Sequence, residues 1–71
     1  MYRHVGSVKD EYGSTYIEID NDPTHPICVT VFDADGSWVS ETCYQLEEAG
    51  VVAELLVQAQ EEYRNGLVRG A

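Results

Sequence analysis

The last third of the chain constrains the fold most, because residues 45–66 carry the only long helical pattern in the sequence. Apolar residues recur there at steps of three and four, which places them on one face of a helix. They are Leu46, Ala49, Val52, Ala53, Leu56, Ala59 and Tyr63. Asn65-Gly66 follows as a stop, since both residues tolerate the left-handed backbone that closes a helix. The pattern predicts an amphipathic helix whose apolar face needs a surface to cover.

Two apolar residues of this helix do not fit the apolar face. Val51 and Leu55 sit one turn apart on its flank. Two interpretations are open: a wide sheet covers them, or they form a contact with a partner or a second copy.

The preceding residues have the alternation of short strands. In residues 15–20, Ile17 and Ile19 point one way and the polar residues the other, which indicates a half-buried strand. Residues 27–32 are the most strand-like run, and 37–44 return as another strand after the hairpin signal Asp33-Ala34-Asp35-Gly36. Residues 2–8 are interpreted as an edge strand or a frayed arm.

The order β, β, β, β, α predicts an α+β fold. We expect residues 1–71 to form one small domain, a three- to four-stranded antiparallel meander with one C-terminal helix packed across one face. That arrangement would bury both apolar sets.

The two cysteines, Cys28 and Cys43, lie in the two strands of the last hairpin. A four-residue loop at 34–37 would place them directly opposite each other. The start of the chain lacks the apolar stretch of a secretory signal, so we expect a cytoplasmic protein. Because cytoplasmic thiols are kept reduced, a pair of packed thiols is favoured over a disulfide.

Charge is distributed unusually along the chain. There are 13 acidic and 4 basic residues, for a net charge of −9, and no Lys or Arg lies between Asp10 and Glu62. The four cations are Arg3, Lys9, Arg64 and Arg69. This balance argues against direct binding to nucleic acid or an anionic membrane surface, and no apolar run is long enough to span a membrane. A partner selected by charge should be a basic protein surface.

No residue pattern predicts catalysis, a metal or a cofactor. Counting an EF-hand loop from Asp20 or Asp33 puts no glycine at the sixth position and no glutamate at the twelfth. No Cys or His pair has the close spacing of a zinc site. The serines lie in no nucleophile motif. We therefore expect a non-enzymatic protein with no cofactor.

The acidic residues instead form rows. Glu18, Asp20 and Asp22 alternate along a strand and its exit, with carboxylates about 6.5–7 Å apart, close to the ~7 Å between phosphates along one DNA strand. Glu47, Glu54 and Glu61 form a second row along the helix. Such rows favour imitation of a phosphate backbone, although a solvated acidic face that maintains solubility is an equally weighted interpretation. The predicted partner-binding residues are Glu18, Asp20, Asp22, Asp33, Asp35, Glu41, Glu47, Glu54 and Glu61.

Two further acids, Glu48 and Glu62, belong with these residues to the acidic set that carries a resemblance. In its size, its acidity and its strand-rich body, the chain resembles small phage-encoded inhibitors of bacterial defence, including anti-CRISPR proteins and other DNA mimics. The resemblance implies a non-catalytic inhibitor in the cytoplasm of a bacterial host, bound to the basic, nucleic-acid-binding surface of a defence complex. The alternative is a small structural or regulatory adaptor that dimerises or docks through Val51 and Leu55.

Overall fold

The structure, a computed structural model, describes residues 2–66 and has the predicted α+β fold. Four antiparallel strands lie side by side in chain order, and one helix follows them. The strands are β1 (Tyr2–Asp10), β2 (Gly13–Asp20), β3 (Ile27–Asp33) and β4 (Trp38–Tyr44), and the helix is α1 (Leu46–Arg64). The first segment is a full edge strand rather than a frayed arm. Arg69, one of the four cations, lies outside the described residues.

The register of the β3–β4 hairpin is the one that the sequence predicts, with Cys28 opposite Cys43. The pairing stays regular to Val31, where a register shift begins before Phe32. Gly36 takes a φ of 85° in the turn, a conformation that glycine adopts without steric cost. The hairpin therefore sets which residues of β3 and β4 share a face.

Gly13 marks the start of β2 and allows a close approach to β3. Its φ is 149°, and a Cβ atom there would collide with the carbonyl oxygen of Phe32. The turn before it is held by Asp10 Oδ1, which accepts hydrogen bonds from the N–H groups of Tyr12 at 2.8 Å and Gly13 at 3.1 Å. Only glycine fits this junction without displacing backbone.

Strand alternation gives the sheet two different faces. One face, called here the disulfide face, carries Tyr2, His4, Tyr16, Glu18, Asp20, Cys28, Thr30, Phe32, Glu41 and Cys43. The other, called here the groove face, carries the aliphatic residues Ile17, Ile19, Ile27, Val29 and Val31 together with Tyr44. The predicted separation of apolar and acidic side chains along β2 is thus confirmed by the register.

The cysteines are bonded to each other, which corrects the expectation of reduced thiols. Cys28 and Cys43 form a disulfide between directly opposed residues whose Cα atoms are 4.1 Å apart. The expectation relied on the presumed compartment, whereas the strand register brings the two sulfur atoms together whatever the compartment. Cys28 is fully buried.

Helix α1 begins after a single connecting residue. Gln45 is extended at φ −64° and ψ 157°, and its N–H donates to Glu48 Oε1 at 3.3 Å. At the other end the backbone reverses at Gly66, with φ 78°, while Asn65 stays right-handed. No helix within residues 2–66 is long and apolar enough to cross a membrane.

The helix lies on the groove face but covers less of it than the sequence predicts. Ile17, Ile27, Val29 and Tyr44 of the sheet and Ala49, Val52, Ala53 and Leu56 of the helix line an open groove of about 290 Å³. No residue of α1 is buried, and Leu46 and Tyr63 of the predicted apolar face are 66% and 68% exposed. The residues of α1 that line the groove all lie between positions 49 and 56, and the end of the helix does not line it.

Candidate functional site

Three predicted partner-binding carboxylates converge on the disulfide face. Tyr2 of β1 pairs with Asp20 of β2, and Glu18 lies one pleat further along the same side of β2. The negative charges of Glu41, then Asp20, and more weakly Glu18 raise the pKa of the Tyr2 phenol. The strand register places Glu18 and Asp20 of β2 and Glu41 of β4 on this one face. We call Glu18, Asp20 and Glu41 the acidic cluster.

Glu41 is fixed in this cluster by the sheet. It pairs with Thr30 across β3 and β4, and Thr30 Oγ1 donates a hydrogen bond to Glu41 Oε2 at 3.3 Å. Thr30 is only 7% exposed, so the donor itself is held in place. The neighbouring disulfide ties the same two strands together, and the cluster consequently rests on a rigid base.

An aromatic group continues the disulfide face beyond the cluster. The ring of Tyr16 meets His4 edge-on at 5.8 Å and Phe32 at 5.4 Å between centroids. Such edge-to-face pairs stabilise their neighbours by roughly 0.5–1.5 kcal/mol. Of the other tyrosines, Tyr12 is 80% exposed in the β1–β2 turn, whereas Tyr44 belongs to the groove face. Of Tyr12, Tyr16 and Tyr44, Tyr12 is thus the one whose ring is free to contact a partner.

The acids in the loops are occupied by turn geometry. Asp22 Oδ1 accepts hydrogen bonds from the N–H and hydroxyl of Thr24 at 2.9 and 2.7 Å, and these bonds lower the pKa of the Asp22 carboxyl. Asp33 Oδ1 accepts from the N–H groups of Asp35 and Ser37 at 2.9 and 3.0 Å. Local turn chemistry accounts for Asp22 and Asp33.

The predicted helix row lies elsewhere on the molecule. Glu47, Glu54 and Glu61 are exposed, and at 100° per residue they fall on the side of α1 opposite the groove-lining residues. The acidic cluster faces away from the sheet in the other direction. The two acidic rows therefore point to opposite sides of the molecule, and a flat partner surface contacts one of them at a time.

The predicted flank pair is open to solvent. Val51 and Leu55 are 56% and 58% exposed, and neither lines the groove. The wide sheet that was one explanation for them does not cover them.

Cys28, Cys43 and Glu41 bring possible metal-ligand atoms within 4.8 Å of one another. The two sulfur atoms are bonded to each other, which leaves a single carboxylate. One carboxylate is too few donors to hold a metal ion.

Tyr2, which pairs with Asp20 beside the acidic cluster, is the residue that sequence reasoning missed. Its only signal was its alternation with His4 in the first segment, and its contact with Glu41 requires the strand order. Comparisons with protein-family models, curated proteins and solved structures found no match to this chain.

Proposed function

We propose that this protein is a non-catalytic inhibitor whose acidic cluster occupies the basic, nucleic-acid-binding surface of another protein. The observation that carries the proposal is that Glu18, Asp20 and Glu41 share one face of the sheet. Three carboxylates on one face can meet a cationic surface together, which favours a partner of opposite charge.

Asp20 and Glu41 accept hydrogen bonds from the Asn21 N–H and the Thr30 hydroxyl, and these bonds leave their negative charges in place. Within residues 2–66, the hydrogen bonds that carboxylates accept come from backbone N–H groups, hydroxyls and one side-chain amide, and none comes from lysine or arginine. Glu18 and Asp20 are two residues apart on a strand, a rise of about 6.8 Å. That rise approximates the ~7 Å between phosphates along one DNA strand.

Bacterial defence complexes are the class of target that we propose, acting in the cytoplasm of the host cell. The composition shared with small phage-encoded inhibitors supports this choice. The acidic cluster would stand in for a short run of phosphates, and binding would block access of nucleic acid by occupancy alone.

The test compares two triple variants of equal charge. The protein is immobilised and used to capture nucleic-acid-binding proteins from a bacterial lysate, with DNA added as competitor and a salt gradient for elution. The variant Glu18→Gln/Asp20→Asn/Glu41→Gln should lose capture, whereas Glu47→Gln/Glu54→Gln/Glu61→Gln should retain it. For the intact protein, DNA and added salt should both release the captured protein.

The proposal is wrong if the two triple variants lose capture equally, since net charge alone would then explain binding. It is also wrong if capture is unchanged by DNA and salt.

A second candidate function is favoured by the exposed flank. Val51 and Leu55 are neighbouring aliphatic side chains more than half exposed, and we propose as the alternative an adaptor that docks through them. Loss of docking on Leu55→Asp, with the acidic cluster intact, would support it.

A further inference from the structure

The groove face leaves part of its apolar surface without cover. Ile17, Ile27 and Val29 are only half-buried although they occupy the two central strands of the sheet. On the helix side, Leu56 lines the same groove and is 67% exposed. Central aliphatic residues normally supply the core of a small domain. Here they form one wall of an open groove.

The single chain has almost no closed core. Among residues 2–66, Cys28 is the only buried hydrophobic residue. The Cα radius of gyration is 14.4 Å, whereas a compact 71-residue domain measures about 11 Å. A chain of this size has little stability to lose, and such chains commonly obtain the missing burial by oligomerisation.

The exposed area matches what a stable dimer needs. The chain exposes 5734 Å², roughly 1,300 Å² more than a compact monomer of its mass. Specific interfaces bury about 800 Å² per partner, so an excess of this size is large enough to form one.

The charges leave this face accessible despite the net charge of −9. Glu47, Glu54 and Glu61 lie on the opposite side of α1, and the acidic cluster lies on the opposite face of the sheet. The side chains that line the groove are themselves uncharged, so two copies can bring these side chains together without burying a carboxylate.

We propose that a second copy of this chain covers the groove face, with Leu56 and its neighbours on α1 packing against the Ile17–Ile27–Val29 surface of the paired molecules. This homodimer does not depend on the inhibitor function, and it differs from docking through Val51 and Leu55. It presents two acidic clusters on opposite outer faces.

Sedimentation equilibrium of the full chain over a wide concentration range tests the pairing. We expect a mass twice the 7.9 kDa of one chain. Leu56→Asp should raise the dimer dissociation constant at least about 30-fold, the effect of an interface hot spot. Leu56 is exposed in the single chain, so this variant should keep its fold and its disulfide.

Leu55→Asp is the matched control, because it makes the same change one residue away. It adds the same charge at a similarly exposed site, rotated by about 100° from Leu56 on the helix. It should change the dissociation constant by less than about 3-fold, in keeping with a residue at the edge of an interface.

Three results would overturn the proposal. A wild-type chain that stays at 7.9 kDa at every concentration would mean that another occupant, or none, covers the groove. An assembly larger than two would be inconsistent with a closed pair. A dimer lost on Leu55→Asp but kept on Leu56→Asp would assign the interface to the flank.

Discussion

The two faces of the sheet differ in burial, and the more polar face contains the more buried residues. The disulfide face carries polar and charged residues, yet it contains Cys28 and Thr30, the two most buried side chains of the described chain. The groove face is aliphatic, yet Ile17 and Val29 remain half-buried. The disulfide, the aromatic group and the Thr30–Glu41 hydrogen bond complete the first face within one chain. The second face stays open in the single chain, and a second copy completes it in the proposed homodimer.

This difference separates two sources of stability. Interactions on the disulfide face are intramolecular, so their contribution to the free energy of unfolding does not depend on protein concentration. In the proposed homodimer, further burial on the groove face comes from association, so its contribution grows with protein concentration.

The largest predicted effect belongs to the disulfide. The cysteines are 15 residues apart, and a disulfide that closes a loop of that length stabilises by about 3 kcal/mol. The double variant Cys28→Ala/Cys43→Ala should lose about this much in urea unfolding. The loss should be the same at low and high protein concentration. Equal stability of oxidised and reduced wild-type protein would contradict this role.

The next effect distinguishes the groove face. Ile17→Ala should lower the free energy of unfolding by roughly 2 kcal/mol at high protein concentration, where a partner completes its burial. At low concentration the loss should shrink, because Ile17 is then only half-buried. Urea unfolding monitored by circular dichroism measures both values. A loss independent of concentration would mean that the single chain already provides the burial.

Salt should act on the two faces in opposite directions. Binding of a basic partner to the acidic cluster should weaken as salt rises, because it depends on attraction between opposite charges. Self-association of two chains of charge −9 should strengthen, because salt screens their repulsion. Dimer dissociation constants at low and high sodium chloride provide the comparison. A dimer weakened by salt would be inconsistent with an apolar interface.

The smallest effect is the titration of Tyr2. Its pKa is raised above the ordinary 10.0 mainly by Glu41, so the folded protein retains this proton longer than the unfolded chain does. Its contribution to stability is complete below pH 10 and is lost as the pH rises through the raised pKa. In a tyrosine-labelled NMR titration, Glu41→Gln should lower the Tyr2 pKa, and Glu47→Gln should not change it. Equal shifts in both variants would mean that Glu41 is not beside Tyr2.

Much of the fold is predictable because it depends on local patterns. Alternation in residues 15–20 and 27–32 separates the apolar and polar sides of β2 and β3, and Gly36 locates the hairpin that pairs Cys28 with Cys43. The helix bounds differ from the prediction by only one or two residues at each end.

The cover of the helix, the disulfide and the grouping of the acids depend on distances between elements, which the periodicity of the sequence does not specify. The amphipathic pattern of α1 predicts a covered face, but it does not specify how closely the helix approaches the sheet, and no residue of α1 is buried. The prediction of reduced thiols at Cys28 and Cys43 depends on the expected compartment and not on geometry, whereas the structure has a disulfide there. The acids were predicted as rows, whereas strand order gathers Glu18, Asp20 and Glu41 and places Glu54 on the far side.

The most direct test of the central claim, that a second copy covers the groove face, is an isotope-filtered NMR experiment on a mixture of labelled and unlabelled chains. Intermolecular contacts between methyl groups of Ile17 or Val29 in one copy and Val52 or Leu56 in the other are the predicted result. They should disappear on dilution below the dissociation constant. A concentrated sample that shows no intermolecular contact to these methyl groups, or shows contacts only to Val51 and Leu55, would contradict the account.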